Sequence, residues 1–347
     1  MSTAQGRREG AATSRRPARS GESPLLEVRD LYVRLQRGDR EVRAVNGVSY
    51  AVPPGKTLAI VGESGSGKTV SCRAVMGLLP RTAVVTGSAR LEGQELLGIS
   101  EPEMREHLGT DIAMVFQDPA RSLNPTMRVG LQITEAIREH LPLSRGEAHD
   151  RAVELLERVR IPLPGRRFHE YPHQLSGGMR QRVMIAIALA CHPKLLIADE
   201  ATTALDVTTQ AQIMDLLLEL QQDLGMALIF ITHDLSLAAT VADEVMVMYA
   251  GRAVERGPTR ELFARVRMPY TRALLDAIPR LDRPAHSPLP VVGGQAPSAP
   301  STGAGCAFAS RCPNALDRCL ETEPPLEEHE PRHFWACWNP CQDEGAL

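Results

Sequence analysis

Residues 62 to 70 read Gly62-Glu63-Ser64-Gly65-Ser66-Gly67-Lys68-Thr69-Val70, and this glycine-rich stretch decides the fold. The glycines leave room for successive backbone N–H groups to surround phosphate oxygens, Lys68 adds a positive charge, and the Thr69 hydroxyl suits Mg²⁺. The apolar run Thr57–Val61 predicts a buried strand before the loop, and Lys68–Met76 predicts a helix whose N-terminus attracts anions. The stretch is therefore predicted to bind the phosphates of a nucleotide.

The sequence on both sides of the loop alternates between predicted strands and helices. Strands are predicted at Leu26–Leu35, Val42–Val52, Leu195–Asp199, Ala227–Thr232, Glu244–Tyr249 and Arg252–Glu255, and helices at Val129–His140, Glu147–Val159, Thr208–Leu224 and Thr271–Ile278. Alternating strands and helices indicate an α/β fold with a largely parallel sheet whose faces are covered. Because helical spacing dominates between Gln117 and about Tyr171, a helical insertion is predicted there.

Composition limits the class of protein. The chain has 347 residues, of which 43% are hydrophobic, and this predicts two domains with a substantial core. A formal net charge of −3 gives no support for a nucleic-acid surface, so no nucleic-acid partner is expected. No apolar stretch approaches the roughly 20 residues that span a bilayer, and no signal segment follows the arginine-rich residues 1–24. We expect a disordered tail over residues 1–24, with contact to anionic lipid as the alternative, and a cytoplasmic protein.

Two adjacent carboxylates follow the predicted strand Leu195–Asp199. Asp199 ends this buried run, so its carboxylate is expected to emerge beside the phosphate loop and to hold Mg²⁺ directly or through water. Glu200, one residue later, is suited to accept a proton from a water molecule in line with the γ-phosphate. We therefore predict that Asp199 positions the metal and that Glu200 is the catalytic base of a nucleotide hydrolase.

Two further polar residues follow apolar runs. His233 comes after Leu228–Thr232, and we predict that it contacts the γ-phosphate from the same edge of the sheet. Gln117 comes after Ala113–Phe116, and its amide oxygen is predicted to reach Mg²⁺. Because Gln117 leads into the helical insertion, it is suited to report the state of the nucleotide to that subdomain.

A second anion site is predicted at Ser176, Gly177 and Gly178. These residues begin a predicted helix that continues to Ala190, so backbone N–H groups again point outward at a helix start. A chain with one phosphate loop does not need two such sites.

Taken in order, these residues resemble the motifs of the ATP-binding subunits of ABC transporters. The matching motifs are the Walker A loop at Gly62–Thr69, the Q-loop at Gln117, the signature at Leu175–Met179, the Walker B strand at Leu195–Asp199 followed by Glu200, the D-loop at Ala204–Asp206 and the switch histidine at His233. The resemblance implies an α/β fold over residues 25–260, with a RecA-like P-loop NTPase core, an antiparallel β subdomain and a helical subdomain over about 118–190. It also implies catalytic roles for Glu200, His233 and Lys68, and two cassettes paired head to tail, so that each ATP lies between one Walker A loop and the other signature.

The last quarter of the chain resembles the C-terminal extension of bacterial oligopeptide and dipeptide import ATPases. The segments that carry this likeness are Met268–Pro279, Gly305–Pro313, Cys319, Pro325–Leu326 and Cys337–Trp338. The resemblance implies an extension over residues 261–347, a second ABC ATPase subunit as a heterodimer partner, two transmembrane permease subunits and an extracellular substrate-binding protein. It further implies a peripheral position on the cytoplasmic face of the cell membrane. A nickel or other small-solute importer uses similar cassettes and is the alternative.

Four cysteines of this extension form a second group, Cys306, Cys312, Cys319 and Cys337. Four thiolates can hold a [4Fe–4S] cluster or Zn²⁺, and we expect the cluster ahead of zinc because some members of the resembled family look like cluster binders. Free thiols in a reducing cytoplasm are the alternative. Residues 279–305, which directly precede these cysteines, are rich in Pro, Gly, Ser and Ala and predict a linker.

Two positions depart from the resembled family. Leu35 stands where many cassettes carry an aromatic residue that stacks on adenine, and Ala201 stands where proline is common. Tyr32 would replace the missing aromatic residue only if the strand register turned it toward the nucleotide. Soluble ABC ATPases of translation or DNA repair are the rival class, but their tandem cassettes or long coiled coils are not in this sequence.

Overall fold

The computed structural model describes residues 23–38, 40–201, 206–278, 293–294 and 304–342. Its strands are β1 (Leu26–Arg37), β2 (Arg40–Val52), β3 (Thr57–Val61), β4 (Val84–Leu91), β5 (Gln94–Glu95), β6 (Ile112–Val115), β7 (Leu195–Asp199), β8 (Ala227–Thr232), β9 (Glu244–Tyr249), β10 (Arg252–Pro258), β11 (Glu327–Glu330) and β12 (His333–Trp335). Its helices are α1 (Lys68–Val75), α2 (Glu101–His107), α3 (Pro119–Ser122), α4 (Val129–His140), α5 (Arg145–Arg158), α6 (Pro164–Arg167), α7 (Gly177–Ala188), α8 (Val207–Leu224), α9 (Leu235–Val241), α10 (Thr259–Ala264), α11 (Pro269–Asp276) and α12 (Asp317–Glu321), with 3-10 turns at Pro172–Gln174 and Ala309–Arg311.

The central sheet has eight strands in the order β11-β12-β10-β9-β3-β8-β7-β6. The five strands from β9 to β6 run parallel to one another, and β10, β12 and β11 continue the sheet in antiparallel fashion. All five residues of β3 and all five of β7 are buried, as expected for parallel strands that are covered on both faces. The predicted strands around the phosphate loop are confirmed.

A separate antiparallel sheet has the order β2-β1-β4-β5. Its apolar side chains share one core with α1 and with one face of the central sheet, where Val28 and Val45 join Ile60 and Met246. The strand predictions for β1 and β2 are confirmed, and the antiparallel β subdomain that the resemblance implied is present.

The helical insertion comprises α3 to α7. Ile133 and Ile137 of α4 and Leu156 of α5 are buried in one core with residues of α7 and the other face of the sheet. The prediction for α4 is confirmed at both ends. The helix α5 begins at Arg145, two residues before the predicted start, because Ser144 caps it through a reciprocal pair of hydrogen bonds with Glu147.

The C-terminal residues pack against the far end of the central sheet. Tyr249, Tyr270 and Phe308 form the middle of a third core, which joins β9, α11 and the turn at Ala309–Arg311. The strand β12 pairs with β10 at Glu255–Trp335 and Arg256–Phe334, so residues after 304 complete the sheet edge. The predicted tail at 1–24 and the predicted linker at 279–305 lie almost entirely outside the described residues.

Several elements were not predicted from the sequence, among them β4, β5, α2, α10, α12, β11 and β12. In the parts of the chain that the structure describes, every helix is too short or too polar to traverse a lipid bilayer.

Candidate nucleotide site

The phosphate loop joins β3 to α1, and its glycines have a steric cause. Gly62 has φ 151°, and a Cβ atom built there would lie 2.2 Å from the Met248 carbonyl oxygen. Gly67 has φ 99°, and its Cβ would lie 2.5 Å from the Ala44 carbonyl oxygen. Side chains at these two positions would collide with backbone, so the loop can hold this shape only with glycine.

Lys68 is the first residue of α1 and is only 4% exposed. Its Nζ donates to the carbonyl oxygens of Gly62 at 2.8 Å and Glu63 at 2.9 Å, so the ammonium lies across the start of the loop. Burial lowers the pKa of Lys68, and the negative charges of Glu200, Asp199 and Glu63 act in the opposite direction. The ammonium is thus held where it can bind phosphate oxygens.

Thr69 and Asp199 are brought together by the fold. The Thr69 hydroxyl donates to Asp199 Oδ1 at 2.6 Å, and Asp199 is 1% exposed. The other oxygen, Oδ2, has no hydrogen-bond partner, although Arg73 Nη2 lies 3.7 Å away. Burial raises the pKa of the Asp199 carboxyl, while the bond from Thr69 lowers it. A buried carboxylate with an unsatisfied oxygen beside a hydroxyl is a donor set that fits Mg²⁺.

The carboxyl ends of four adjacent parallel strands bring the predicted polar residues to one edge. The order β3-β8-β7-β6 places the phosphate loop after β3, His233 after β8, Glu200 after β7 and Gln117 after β6. Gln117 Nε2 donates to Glu200 Oε2 at 2.8 Å, and His233 Nδ1 lies 3.8 Å from the same oxygen. The structure therefore joins Gln117 to Glu200, and no hydrogen bond connects Gln117 with Thr69 or Asp199.

Glu200 has an unusual backbone conformation. Its φ is 45°, in the left-handed region that non-glycine residues seldom adopt, and its N–H donates to the Ile231 carbonyl oxygen at 3.0 Å. The side chain is 15% exposed. Backbone strain of this kind occurs at functional sites, and the Glu200 carboxylate lies beside Gln117 and His233.

The second predicted anion site lies on the surface at the start of α7. Ser176 caps this helix, and its Oγ accepts from the Met179 N–H at 3.3 Å. Ser176 and Gly177 are exposed, and Gly178 packs so closely that a Cβ would lie 2.8 Å from Thr209 Cγ2. In the described residues no hydrogen bond or ion pair joins Ser176 to the phosphate loop. Of the predicted D-loop, residues 204 and 205 lie outside the described residues.

The two candidate adenine positions lie on β1. Leu35 is half-buried and packs against the core shared by the two sheets. Tyr32 is 45% exposed, and its hydroxyl would lie 3.0 Å from a Cβ at Gly47. The Tyr32 side chain therefore lies beside Gly47 of β2 and is partly exposed, and its contact with adenine stays a prediction.

The four cysteines of the extension lie in one neighbourhood. Cys306, Cys312 and Cys337 pack against the same core, and the Cys306 N–H donates to the Cys319 carbonyl oxygen at 2.7 Å. Burial raises the pKa of each of these three thiols, to about 12 for Cys337, and the other cysteines raise it further. All are free thiols. Among the residues described, no three His, Cys, Asp or Glu side chains are arranged to hold a metal ion.

The site also includes residues that the sequence did not indicate. The Tyr270 hydroxyl accepts the Glu63 N–H at 2.9 Å, and the guanidinium of Arg311 forms an ion pair with the Glu63 carboxylate. Both residues belong to the C-terminal part of the chain, 207 and 248 positions away. No local pattern could reveal these contacts, because they depend on the packing of α11 and the Ala309–Arg311 turn.

Comparison with known proteins agrees with this arrangement. Residues 45–203 match the family described as ABC transporter, and residues 254–319 match the family described as oligopeptide/dipeptide transporter, C-terminal region. The chain is 50% identical over 316 residues to a probable peptide ABC transporter ATP-binding protein of Sinorhizobium fredii, covering 90% of this chain and 94% of that protein. It is 47% identical over 319 residues to the oligopeptide transport ATP-binding protein OppD of Escherichia coli, covering 92% and 94%.

Solved structures show the same likeness. A dimeric structure of the cassette MJ0796, described as a post-hydrolysis state bound to ADP and Pi, has a TM-score of 0.61 and 26% identity, covering 68% of this chain and 99% of that one. The protein cbiO1 of Clostridium perfringens has a TM-score of 0.60 and 29% identity, covering 70% and 92%. The chain therefore belongs to the family of ABC transporter ATP-binding subunits, in the group of the oligopeptide and dipeptide importers.

Proposed function

We propose that this chain hydrolyses ATP to power the import of oligopeptides or dipeptides through a membrane permease. The main support for the proposal is that Lys68 and Thr69, at the start of α1, lie together with a second group at the carboxyl ends of adjacent parallel strands. This second group comprises Asp199, Glu200 and His233. The names of the relatives, together with the match over residues 254–319, favour peptides over nickel or another small solute as the cargo.

The geometry supports a division of labour among the site residues. Backbone N–H groups of residues 62–70 and the Lys68 ammonium bind the phosphates of ATP. Thr69 and Asp199 would hold Mg²⁺, which when bound neutralises charge on the β- and γ-phosphates. The contacts of Gln117 place its amide toward Glu200, so we assign it a role in orienting that carboxylate, in addition to the metal contact predicted from the sequence.

Glu200 is the proposed proton acceptor of the reaction. A water molecule in line with the γ-phosphate gives its proton to the Glu200 carboxylate as the water oxygen bonds to phosphorus and the bond to the β-phosphate oxygen breaks. His233 lies beside the same carboxylate and its side chain is 55% exposed, so it is open to contact with the γ-phosphate. ADP and inorganic phosphate are the products.

We further propose that the working unit contains a second ABC ATPase subunit. The exposed helix start at Ser176–Gly177 offers N–H groups to an anion that is not on this chain's own loop. A structurally similar cassette is described as dimeric. Two permease subunits and an extracellular substrate-binding protein complete the proposed importer, with this chain peripheral on the cytoplasmic face of the membrane. Within the chain, residues 25–260 form the proposed cassette and residues 261–347 the extension.

A transport measurement tests the proposed cargo. Cells that lack the chain are expected to lose uptake of a radiolabelled tripeptide or tetrapeptide to background, and the intact chain is expected to restore it. Uptake of radioactive nickel, measured in the same cells, serves as the control and is expected to stay unchanged. Loss of nickel uptake with normal peptide uptake would transfer the proposal to the nickel importers.

The cysteine group remains a proposed metal site. Among the described residues, the four thiols are not arranged as a ligand set, and no step of the reaction passes through them. Three of them nevertheless pack on one core, and a backbone hydrogen bond joins Cys306 to Cys319. If they hold a [4Fe–4S] cluster, protein purified without oxygen is expected to be brown, to absorb near about 400 nm and to contain about four irons per chain.

Two variants sharpen this measurement. Cys319→Ser is expected to lower the iron content, whereas Cys191→Ala, in a thiol outside the group, is expected to leave it unchanged. Stoichiometric zinc without iron or sulfide would assign a zinc site. Colourless, metal-free protein that still supports transport would show that the cysteines are free thiols.

A further inference from the structure

An arginine of the C-terminal part of the chain reaches the phosphate loop. Arg311 Nη1 donates to Glu63 Oε2 at 2.7 Å and Nη2 donates to Glu63 Oε1 at 2.9 Å, so the two planar groups meet through paired hydrogen bonds. The Arg311 side chain is 4% exposed and that of Glu63 is 25% exposed. A paired bond of this kind, largely shielded from water, fixes both charge and direction.

The position of Arg311 is fixed by its own surroundings. Its guanidinium lies over the rings of Tyr249, 5.7 Å from the centroid, and Phe308, 5.8 Å from the centroid. Nη1 also donates to the Tyr249 hydroxyl at 3.2 Å, and Nε donates to the Gly293 carbonyl oxygen at 2.6 Å. The aromatic cluster of the third core therefore presents this cation to the loop.

The Glu63 carboxylate, which is paired with Arg311, lies where a negative charge opposes ATP binding. Glu63 is the second residue of a loop that must receive three phosphate groups. Its charge reaches the phosphate-binding ammonium, because Glu63 is one of the three carboxylates that raise the pKa of Lys68 against the effect of burial. The same field would repel a triphosphate if it were not compensated.

We propose that Arg311 is a positioning residue that neutralises Glu63 and so lets the phosphate loop accept ATP. The C-terminal extension then contributes to the charge balance of the nucleotide site and not only to the sheet edge. This inference rests on the proposed function, since it requires that residues 62–70 bind ATP. The competing explanation is a mechanical one, in which the ion pair only fastens the extension to the cassette.

The two explanations predict different signs for the effect of removing each partner. Under neutralisation, Arg311→Met leaves one excess negative charge at the loop, and Glu63→Gln leaves one excess positive charge. The double variant restores neutrality. Under mechanical fastening, both single variants and the double variant lose the same contact and weaken ATP binding alike.

The experiment measures the dissociation constant of ATP for the full chain by equilibrium titration at low and moderate salt. Arg311→Met is expected to weaken binding about tenfold at low salt, Glu63→Gln to tighten it about twofold, and the double variant to return within about twofold of the parent. The spread between the two single variants is expected to shrink only slightly as salt rises, because the two side chains are 4% and 25% exposed and salt screens partly buried charges weakly.

Two further variants distinguish the loss of charge from a general disturbance of the fold. Arg311→Lys keeps the charge without the paired bonds, and we expect it to bind ATP close to the parent value. Arg318→Met removes an exposed arginine of the same extension that lies over Trp338, 3.5 Å from the ring centroid, and is the matched control with no expected effect. The inference would be overturned, with the proposed function intact, if ATP binding weakened equally in all four variants. These are Arg311→Met, Arg311→Lys, Glu63→Gln and the double variant. Absence of ATP binding by the parent chain would overturn the proposed function as well.

Discussion

Glu200→Gln is expected to keep ATP binding while slowing hydrolysis by about two or more orders of magnitude, the scale seen when a positioned proton acceptor is lost. The reason lies in the local geometry. The amide cannot take a proton from water, yet it has the shape of the carboxylate and can still meet Gln117 and His233. The measurement is single-turnover hydrolysis at this chain's own site in the assembled complex, together with the amount of nucleotide that stays bound.

The matched control is Glu261→Gln, which removes an exposed carboxylate of α10 away from the site. It is expected to leave hydrolysis unchanged. If turnover at this chain's site were also unchanged in Glu200→Gln, Glu200 would not be the proton acceptor.

Lys68→Ala and Ser176→Arg are expected to disable two different bound nucleotides. Lys68→Ala removes the ammonium that spans the phosphate loop and impairs the site that contains this chain's Walker A residues. Ser176→Arg adds a large side chain at the exposed start of α7, so it impairs the site whose Walker A loop belongs to the partner cassette. Photolabelling or trapped-nucleotide mapping in the assembled complex, with a distinguishable partner ATPase, separates the two sites.

Ser144→Arg is the matched control for this experiment. Ser144 is also an exposed helix cap, so its replacement carries a similar loss of helix stability, about 1 kcal/mol, without touching the signature. We expect both nucleotides to remain in place. Loss of one and the same nucleotide in Lys68→Ala and Ser176→Arg would contradict head-to-tail pairing, as would a monomeric chain that hydrolyses ATP as fast as the complex.

The parts of the fold that sequence reasoning predicted share one physical property. The strands β3, β7 and β8 are short, mainly apolar runs that are entirely buried, and each is directly followed by residues with a predicted chemical role. In contrast, α2 buries only Met104 among its residues, so it has little apolar periodicity, and its start depends on the capping pair Ser100 and Glu103.

Long-range pairing explains what remained hidden in the C-terminal region. The strand β11 reads Glu-Glu-His-Glu and carries no strand pattern, because it forms through its pairing with β12 at the sheet edge. The contact of Arg311 with Glu63 spans 248 positions of sequence. The phosphate loop was predictable from its glycines, but the contact of Arg311 with this loop was not. The position of Arg311 depends on its packing against the rings of Tyr249 and Phe308.

The pairing of β12 with β10 has a consequence for synthesis of the protein. β10 emerges from the ribosome long before the hairpin of β11 and β12, so the nascent cassette has a sheet edge that is paired with β9 only. Open edges of this kind recruit strands from other chains. We therefore expect a chain that is truncated before β11 to leave the outer edge of β10 unpaired and to aggregate more readily than the full chain.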